Sequence, residues 1–169
     1  MKGKIAATGW KDWMNVKVLQ KVILLDGKNN ILLLRRMISG SGSRKGKWDL
    51  PGGSMDTEDL VESPENPHEF SIRREVKEET KLEATNFVSI YVGSGVKTDT
   101  EERKILILAI CYQAKVKGIS PKVVLSQEHI EYRWLPKLEA LSLDFGEDGG
   151  FHRASIHKTR VALSRSSGQ

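Results

Sequence analysis

Three glutamates lie at helical spacing near the middle of the chain. Glu75, Glu78 and Glu79 occupy positions i, i+3 and i+4, so on a helix with about 100° per residue they share one face. Three like charges on one face repel one another and weaken an isolated helix. A divalent cation would remove that repulsion, and carboxylate oxygens suit Mg²⁺ or Mn²⁺ better than zinc. The alternative is a solvated acidic stripe with the neighbouring basic residues as salt partners.

The segment around these glutamates carries the start signals of a helix. Asn66 is a candidate N-cap, Pro67 suits the first helical position, and Glu69 follows the cap by three residues, as in a capping box. The pattern predicts a helix over 67–80 that presents the three glutamates together. Arg74 lies one turn before the second of them and is placed to pair with it.

A proline–glycine–glycine turn stands upstream of the predicted helix. Pro51 fixes φ, and Gly52 and Gly53 permit backbone angles or close approaches that a side chain forbids. The stretch 54–65 between turn and helix is acidic and is predicted to be irregular. Before the turn, residues 39–47 are predicted to form a flexible basic loop within the same domain.

Apolar and β-branched runs predict the sheet that must hold this helix. Strands over 16–25 and 31–36 flank a turn cluster and predict a hairpin. The run 105–112 is apolar on both faces, which predicts a central strand. Further elements are predicted in chain order: a strand over 87–92, a loop over 93–103, a strand over 131–135, a short helix over 136–141, a loop over 144–150 and a helix over 151–163.

The composition bounds the class of protein. With 169 residues, 38% hydrophobic and 29% charged, the chain is predicted to form one domain over 1–169 with a flexible tail at 164–169. The net charge of +5 and the pI near 9.3 favour anionic partners such as nucleotides. No apolar run is long enough to span a membrane, no secretory signal is found, and Cys111 is the only cysteine. A cytoplasmic location is therefore expected.

Two segments resemble the signature of the Nudix hydrolases, G-x5-E-x7-R-E-U-x-E-E-x-G-U, in which U is apolar. R-E-V-K-E-E-T-K-L at 74–82 matches its second half except at one position. W-D-L-P-G-G at 48–53 resembles the strand and turn that lead into the signature. Residues 128–135 resemble a segment common near the end of the fold, so the resemblance spans most of the chain.

The chain departs from the signature at two places. Gly53 and Arg74 are 21 positions apart, several more than in the family, and the early glutamate is either Glu62 or Glu65 or is replaced. Lys81 stands where the family has glycine, which would suit a left-handed helix end; lysine tolerates that conformation at a cost of about 1 kcal/mol. Neither departure touches the three glutamates.

The resemblance implies a fold and a chemistry. The implied fold is an α/β/α sandwich around a mixed β-sheet, in the α/β class. The implied activity is Mg²⁺-dependent hydrolysis of a pyrophosphate bond in a nucleoside diphosphate linked to another group, with Mn²⁺ as the second candidate metal. Glu75, Glu78 and Glu79 are then metal ligands, and Gly53 contributes backbone at the metal site.

Further roles follow from the same resemblance or from charge. Glu78 and Glu79 are the candidate catalytic carboxylates of the box, and Glu128 is the candidate general base from a later loop; the alternative for Glu128 is an exposed loop residue without a catalytic role. Arg74 is assigned structural support. The strand end at residues 35 and 36 is basic and could meet phosphates; the alternative is a solvated strand end. Those two substrate-binding candidates are Arg35 and Arg36.

The substrate is predicted by eliminating substrate classes of the family whose sequence features are missing here. ADP-ribose enzymes of the family often carry a proline after the box, but none occurs here between Pro67 and Pro121. Dinucleoside-polyphosphate enzymes often have a tyrosine there, and none stands between Tyr91 and Tyr112. A nucleoside triphosphate is therefore favoured over ADP-ribose, a nucleotide sugar or a dinucleoside polyphosphate. A protein that binds RNA or processes RNA ends is suggested by the pI but not favoured, because no RNA-binding aromatic motif is found. A catalytically silent binding module is opposed by the intact glutamates.

Overall fold

The computed structural model describes residues 15–39, 44–98 and 101–160, and these residues form a six-stranded mixed sheet with helices on both faces. The predicted tail at 164–169 lies outside the described residues. No described helix is long and apolar enough to cross a membrane. The elements in chain order are β1 (Asn15–Leu25), β2 (Ile31–Arg36), β3 (Trp48–Asp49), α1 (Thr57–Glu62), α2 (Pro67–Thr80), β4 (Ala84–Thr98), β5 (Lys104–Val116), β6 (His129–Leu135), α3 (Lys137–Leu141) and α4 (Gly150–Lys158).

The strands follow the order β3-β2-β1-β5-β4, and β6 pairs with β2. β1 and β5 are parallel, whereas the other pairs are antiparallel. β5 therefore lies inside the sheet between β1 and β4, as its apolar sequence predicted. The predicted hairpin of β1 and β2 forms, but its register contains a single pair, Leu25 with Ile31.

Beyond that pair β1 and β2 separate, and the proline–glycine–glycine turn forms hydrogen bonds with the edge of β1 that β2 leaves free. The amide of Gln20 donates to the carbonyl of Gly53 at 2.8 Å, and the amide of Val22 donates to the carbonyl of Pro51 at 2.9 Å. Gly52 has φ +122°, and a Cβ there would lie 2.3 Å from the carbonyl oxygen of Gln20. Only glycine fits both that angle and that contact.

Side chains alternate between two cores along β1. Val22 and Leu24 pack with Ile72 and Val76 of α2 on one face of the sheet. On the other face the intervening residues pack in a second core that includes Ile156 of α4. Two cores on opposite faces of one sheet make the α/β/α sandwich that the resemblance implied.

Helix α2 confirms the local signals in its sequence. Asn66 is the N-cap, its side chain accepts from the amide of Glu69 at 3.4 Å, and Pro67 is the first helical residue. At the other end Lys81 has φ 58° and ψ 14°, and its amide donates to the carbonyl of Lys77. The lysine at the family's glycine position thus adopts the left-handed conformation that glycine would favour.

The stretch 54–65 is not wholly irregular, which corrects one prediction. Residues Thr57–Glu62 form α1. Asp56 and Asp59 form a reciprocal capping box, and acidic residues in the first turn of a helix interact favourably with its dipole. The acidic composition that suggested a loop therefore starts a helix instead.

The loop predicted over 93–103 is also wrong for its first half, because β4 continues to Thr98. β4 pairs with β5 from Gly93 opposite Ala109 to Thr98 opposite Lys104. Cross-strand pairing with a long apolar partner outweighs the low strand propensity of the two glycines in this part of β4. At the C-terminal end, α4 ends at Lys158 with Thr159 as its C-cap, so the predicted helix over 151–163 is too long.

Candidate active site

A cavity of about 710 Å³ opens where β1 and β2 separate. The turn residues Gly52 and Gly53 line it, together with side chains of both charges. We call Asp56, Glu75 and Glu79 the acidic wall. The basic wall comprises Lys17, Lys21, Arg36, Arg44, Lys45 and Lys97.

Glu79 is the most enclosed residue of the acidic wall. Its side chain is 8% exposed, and its Oε2 accepts from the amide of Gly52 at 2.8 Å. Burial raises the pKa of Glu79 to about 7, although the ammonium of Lys21 works in the opposite direction. This carboxylate therefore changes its protonation state near neutral pH, which suits a group that holds a cation or accepts a proton.

Glu75 sits directly against the turn. A Cβ at Gly53 would lie 2.6 Å from Oε2 of Glu75, so the glycine permits the carboxylate to rest on the backbone. Burial raises the pKa of Glu75, and the adjacent Arg74 opposes that rise. Glu75 and Glu79 are thus two carboxylates that burial makes costly to charge.

Arg74 joins the box to α1. Its guanidinium donates to both carboxylate oxygens of Asp59 at 2.9 and 3.0 Å, to Glu75 at 3.1 Å and to Glu78 at 3.2 Å. Asp59 is 1% exposed, and the hydrogen bonds from Arg74 lower its pKa to about 2. The predicted pair of Arg74 and Glu78 is present, and Asp59 is a stronger partner that the sequence did not single out.

The three glutamates are not equivalent. Glu75 and Glu79 line the cavity, whereas the side chain of Glu78 is 56% exposed and does not line it. Among the described residues no three acidic, histidine or cysteine side chains already surround one metal position. The donor set nevertheless fits a divalent ion, because half-buried Glu75 and buried Glu79, both with raised pKa, lie beside a turn that requires glycine.

The basic wall is held by one buried carboxylate, Asp49, at its centre. Oδ2 of Asp49 lies 3.1 Å from Lys21 Nζ, 3.3 Å from Arg36 Nη1 and 2.6 Å from Arg44 Nη2. Its other oxygen lies 2.8 Å from Nε2 of His152. Burial alone would raise the pKa of Asp49, but these partners hold it well below its usual range. Three cations therefore meet one oxygen.

The two arginines that end β2 lie in different surroundings. Arg36 lines the cavity and contacts Asp49, with Glu128 3.9 Å away. Arg35 donates to the carbonyl of Gly46 at 3.0 Å and to Glu131 at 3.2 Å, and it does not line the cavity. Glu128 does line the cavity, with its side chain 68% exposed.

Comparison with known proteins identifies the family. The NUDIX domain model matches residues 18–154. The chain belongs to the Nudix family. No curated protein matches the chain. The chain is similar to the crystal structure of a MutT protein from Methanosarcina mazei Go1, with 26% identity, a TM-score of 0.59, and coverage of 85% of this chain and 92% of that one.

Two further solved structures share the fold at lower identity. A MutT Nudix hydrolase from Burkholderia pseudomallei is 17% identical, with a TM-score of 0.60 and coverage of 86% of this chain and 99% of that one. An Ap4A hydrolase from C. elegans is 17% identical, with a TM-score of 0.58 and coverage of 84% and 93%. The predicted sandwich fold and the predicted enzyme class, a Nudix-type pyrophosphohydrolase, are confirmed.

The sequence left three alternatives for the early box glutamate: Glu62, Glu65 or a replacement. Within the described residues, neither Glu62 nor Glu65 pairs with Arg74 of the box. The carboxylate that holds Arg74 is Asp59, on the additional helix α1. Its sequence signal is the capping-box spacing of Asp56 and Asp59, which locates a helix start but does not reveal the arginine partner.

Proposed function

We propose that this Nudix enzyme hydrolyses a pyrophosphate bond in a nucleoside diphosphate linked to another group, with Mg²⁺ as its metal and a nucleoside triphosphate as the favoured substrate. One observation carries the proposal: half-buried Glu75 and buried Glu79 line the same cavity as the glycine turn and a cluster of lysine and arginine side chains. Such a cavity can bind a metal and a phosphate side by side.

In this proposal Glu75, Glu78 and Glu79 hold the metal, with Gly53 contributing backbone. When bound, the metal neutralises phosphate oxygens and lowers the pKa of a water molecule. Nudix hydrolases use divalent ions, and Mg²⁺ is the choice that an oxygen-only donor set favours, with Mn²⁺ as an alternative.

Other residues of the chain have separate proposed roles in phosphate binding, support of the box and proton transfer. Arg36 is placed to bind a phosphate oxygen, since it lines the cavity and is one-third exposed. Arg74 supports Glu75 and Glu78 and does not line the cavity. The proton of the attacking water goes to Glu79 or to Glu128. Both line the cavity, and Glu128 is the more accessible group.

The choice of a nucleoside triphosphate rests on the elimination of other substrate classes from sequence, so it is tested directly. Purified enzyme is incubated with Mg²⁺ or Mn²⁺ and a panel of nucleoside triphosphates, nucleotide sugars, ADP-ribose and dinucleoside polyphosphates. We expect the fastest turnover with a triphosphate and none after chelation of the metal. Turnover that persists in a chelator would refute the metal proposal. Labelling with ¹⁸O water then identifies the phosphorus that is attacked.

RNA-end processing is the second candidate function, favoured only by the pI near 9.3. Electrostatic RNA binding would weaken steeply as salt rises. If the enzyme retains no RNA at about 0.1 M salt, this candidate is excluded. A cytoplasmic location stays a prediction from composition.

A further inference from the structure

We propose that His129 is a positioning residue, which orients the carboxylate of Glu79 by donating a hydrogen bond from its Nε2 atom. The inference rests on the proposed function, because Glu79 is a proposed metal ligand. It goes further by assigning a role to the first residue of β6, which lies outside the box and does not line the cavity. His129 therefore acts through Glu79 and not on the substrate.

A β-bulge at the start of β6 turns His129 toward the interior. Arg35 pairs with Glu131, but Arg36 pairs with His129, so Ile130 is an extra residue in β6. Ile130 is 45% exposed, whereas the side chain of His129 is 1% exposed. Bulges re-aim side chains and are common beside active sites. The strand thus departs from regular pairing at the point where it places an imidazole next to the acidic wall.

The turn before β6 brings His129 against Glu79. The amide of Ser126 donates to the carbonyl of Glu79 at 3.2 Å, and the amide of His129 donates to the carbonyl of Ser126 at 3.3 Å. Nε2 of His129 lies 3.8 Å from Oε1 of Glu79. The other carboxylate oxygen, Oε2, accepts from the amide of Gly52. Each oxygen of Glu79 therefore has one nitrogen beside it, and lone pairs remain for a metal.

The contacts of the imidazole select one tautomer. Oγ of Ser126 accepts from the amide of Glu128 at 3.4 Å and lies 3.3 Å from Nδ1 of His129. The hydroxyl proton can then be donated to Nδ1, which leaves the ring proton on Nε2, facing the carboxylate. The opposite tautomer would set a lone pair against an anionic oxygen. Burial lowers the pKa of His129 to about 4, so the ring is neutral and carries only one of the two protons.

The separation between Nε2 and Oε1 is longer than a hydrogen bond. Hydrogen bonds of an active site are often long in the free enzyme and shorten when the ligand binds. Partners that hold a metal-binding carboxylate from behind fix its orientation, and their loss typically weakens metal binding by about 10–100-fold. His129 is placed to act in this way, because it reaches the carboxylate from outside the cavity.

The first test reads the tautomer of the metal-free enzyme. Two-bond ¹H–¹⁵N correlation spectra of ¹⁵N-labelled protein in EDTA should show His129 with a protonated Nε2 and an unprotonated Nδ1. The signal is assigned by its absence from the His129→Gln spectrum. A protonated Nδ1 would overturn the proposal. The measurement needs neither metal nor turnover, so it remains decisive even if the enzyme hydrolyses no substrate of the panel.

The second test is a matched pair of variants, His129→Leu and His129→Gln. Leucine fills a similar volume without a donor, whereas the amide nitrogen of glutamine can take the place of Nε2. Electron paramagnetic resonance of free Mn²⁺ should show about tenfold weaker binding by the leucine variant and a change of less than about threefold in the glutamine variant. The leucine variant should also lower kcat about tenfold and change KM less than about twofold, because His129 contacts no phosphate.

The control is His157→Leu, which removes an exposed histidine of α4 and should leave Mn²⁺ binding unchanged. Normal Mn²⁺ binding by the His129→Leu variant would overturn the proposal. Equally weak binding by the leucine and glutamine variants would also overturn it, because packing rather than the donor would then be responsible. If the leucine variant does not fold, the tautomer and the folded glutamine variant still decide the question.

Discussion

The two walls of the cavity are assembled in different ways. Both glutamates of the acidic wall come from α2, one turn apart, so a single helix sets their spacing. The basic wall draws on β1, on the end of β2, on the loop before β3 and on β4. The helix groups like charges that repel one another, whereas the basic wall gathers three of its cations around one buried Asp49.

This difference has an energetic consequence. The acidic wall contains no cation of its own that balances its negative charge. Burial also raises the pKa of both Glu75 and Glu79. A bound metal would therefore stabilise it. The inner part of the basic wall already contains its own counter-charge, so its geometry is fixed before any ligand arrives. We expect loss of Asp49, which holds the basic wall together, to act mainly on stability, and loss of Glu79 in the acidic wall to act mainly on turnover.

Asp49→Asn should produce the largest effect. The substitution leaves three cations around a neutral, buried amide, and removing one member of a buried charge cluster costs about 3–5 kcal/mol. Urea unfolding should show this loss of stability. The control is Asp144→Asn, because Asp144 pairs with Lys47 at the surface; no measurable change is expected there. Equal stability of the two variants would mean that Asp49 does not organise the basic wall.

Glu79→Gln should lower Mg²⁺-dependent turnover at least about a hundredfold with little loss of stability, because the amide oxygen can still accept from Gly52. Glu128→Gln made in parallel identifies the general base, since the proton acceptor should also show an altered pH profile. Glu83→Gln, exposed just beyond α2, is the control. If the Glu79 variant retains normal turnover, the acidic wall is not the metal site.

Asp59→Asn tests the support of the box by α1. Loss of the charged partner of Arg74 should cost about 1–3 kcal/mol. The pKa of Asp59 is lowered from 3.8 to about 2, so its stabilising effect is present above pH 3.8 and is lost as pH falls through 2. The difference in unfolding free energy between wild type and variant should therefore shrink in acid. A constant difference from pH 5 to 2 would argue against this ion pair.

Arg36→Ala and Arg35→Ala separate the two residues of one strand end. Arg36 lines the cavity, so its loss should raise KM about tenfold. Arg35 pairs with Glu131 outside the cavity, and its loss should change KM less than twofold. Steady-state kinetics with the best substrate of the panel provides the measurement. Similar KM changes in both variants would show that the orientation of the strand end has been misassigned.

The acidic wall could be predicted from local sequence, whereas the basic wall could not. Asn66, Pro67 and the glutamate spacing act within a few residues of each other, so the sequence predicted α2 and its acidic face. The cluster around Asp49 joins residues from positions 21 to 152, and only the tertiary structure brings them together. The sequence offered no means of distinguishing Arg35 from Arg36, and of these two only Arg36 lines the cavity.

Two features of the structure depend on interactions that local sequence does not display. The side chain of Glu78 pairs with Arg74 and does not line the cavity, and its role as a metal ligand stays a prediction. Residues 93–98 contain two glycines and looked like a loop, yet pairing with β5 makes them strand. Propensity describes a segment alone, and a long apolar partner strand overrides it.

The separation of β1 and β2 has a consequence for how substrate preference can change. Part of the cavity lining is contributed by Gly52 and Gly53, whose turn is hydrogen-bonded through its main chain to β1. Peptide groups offer the same donors and acceptors whatever side chains surround them. Evolution or design can therefore replace residues of the basic wall and obtain a new selectivity while the main chain beside the acidic wall stays unchanged.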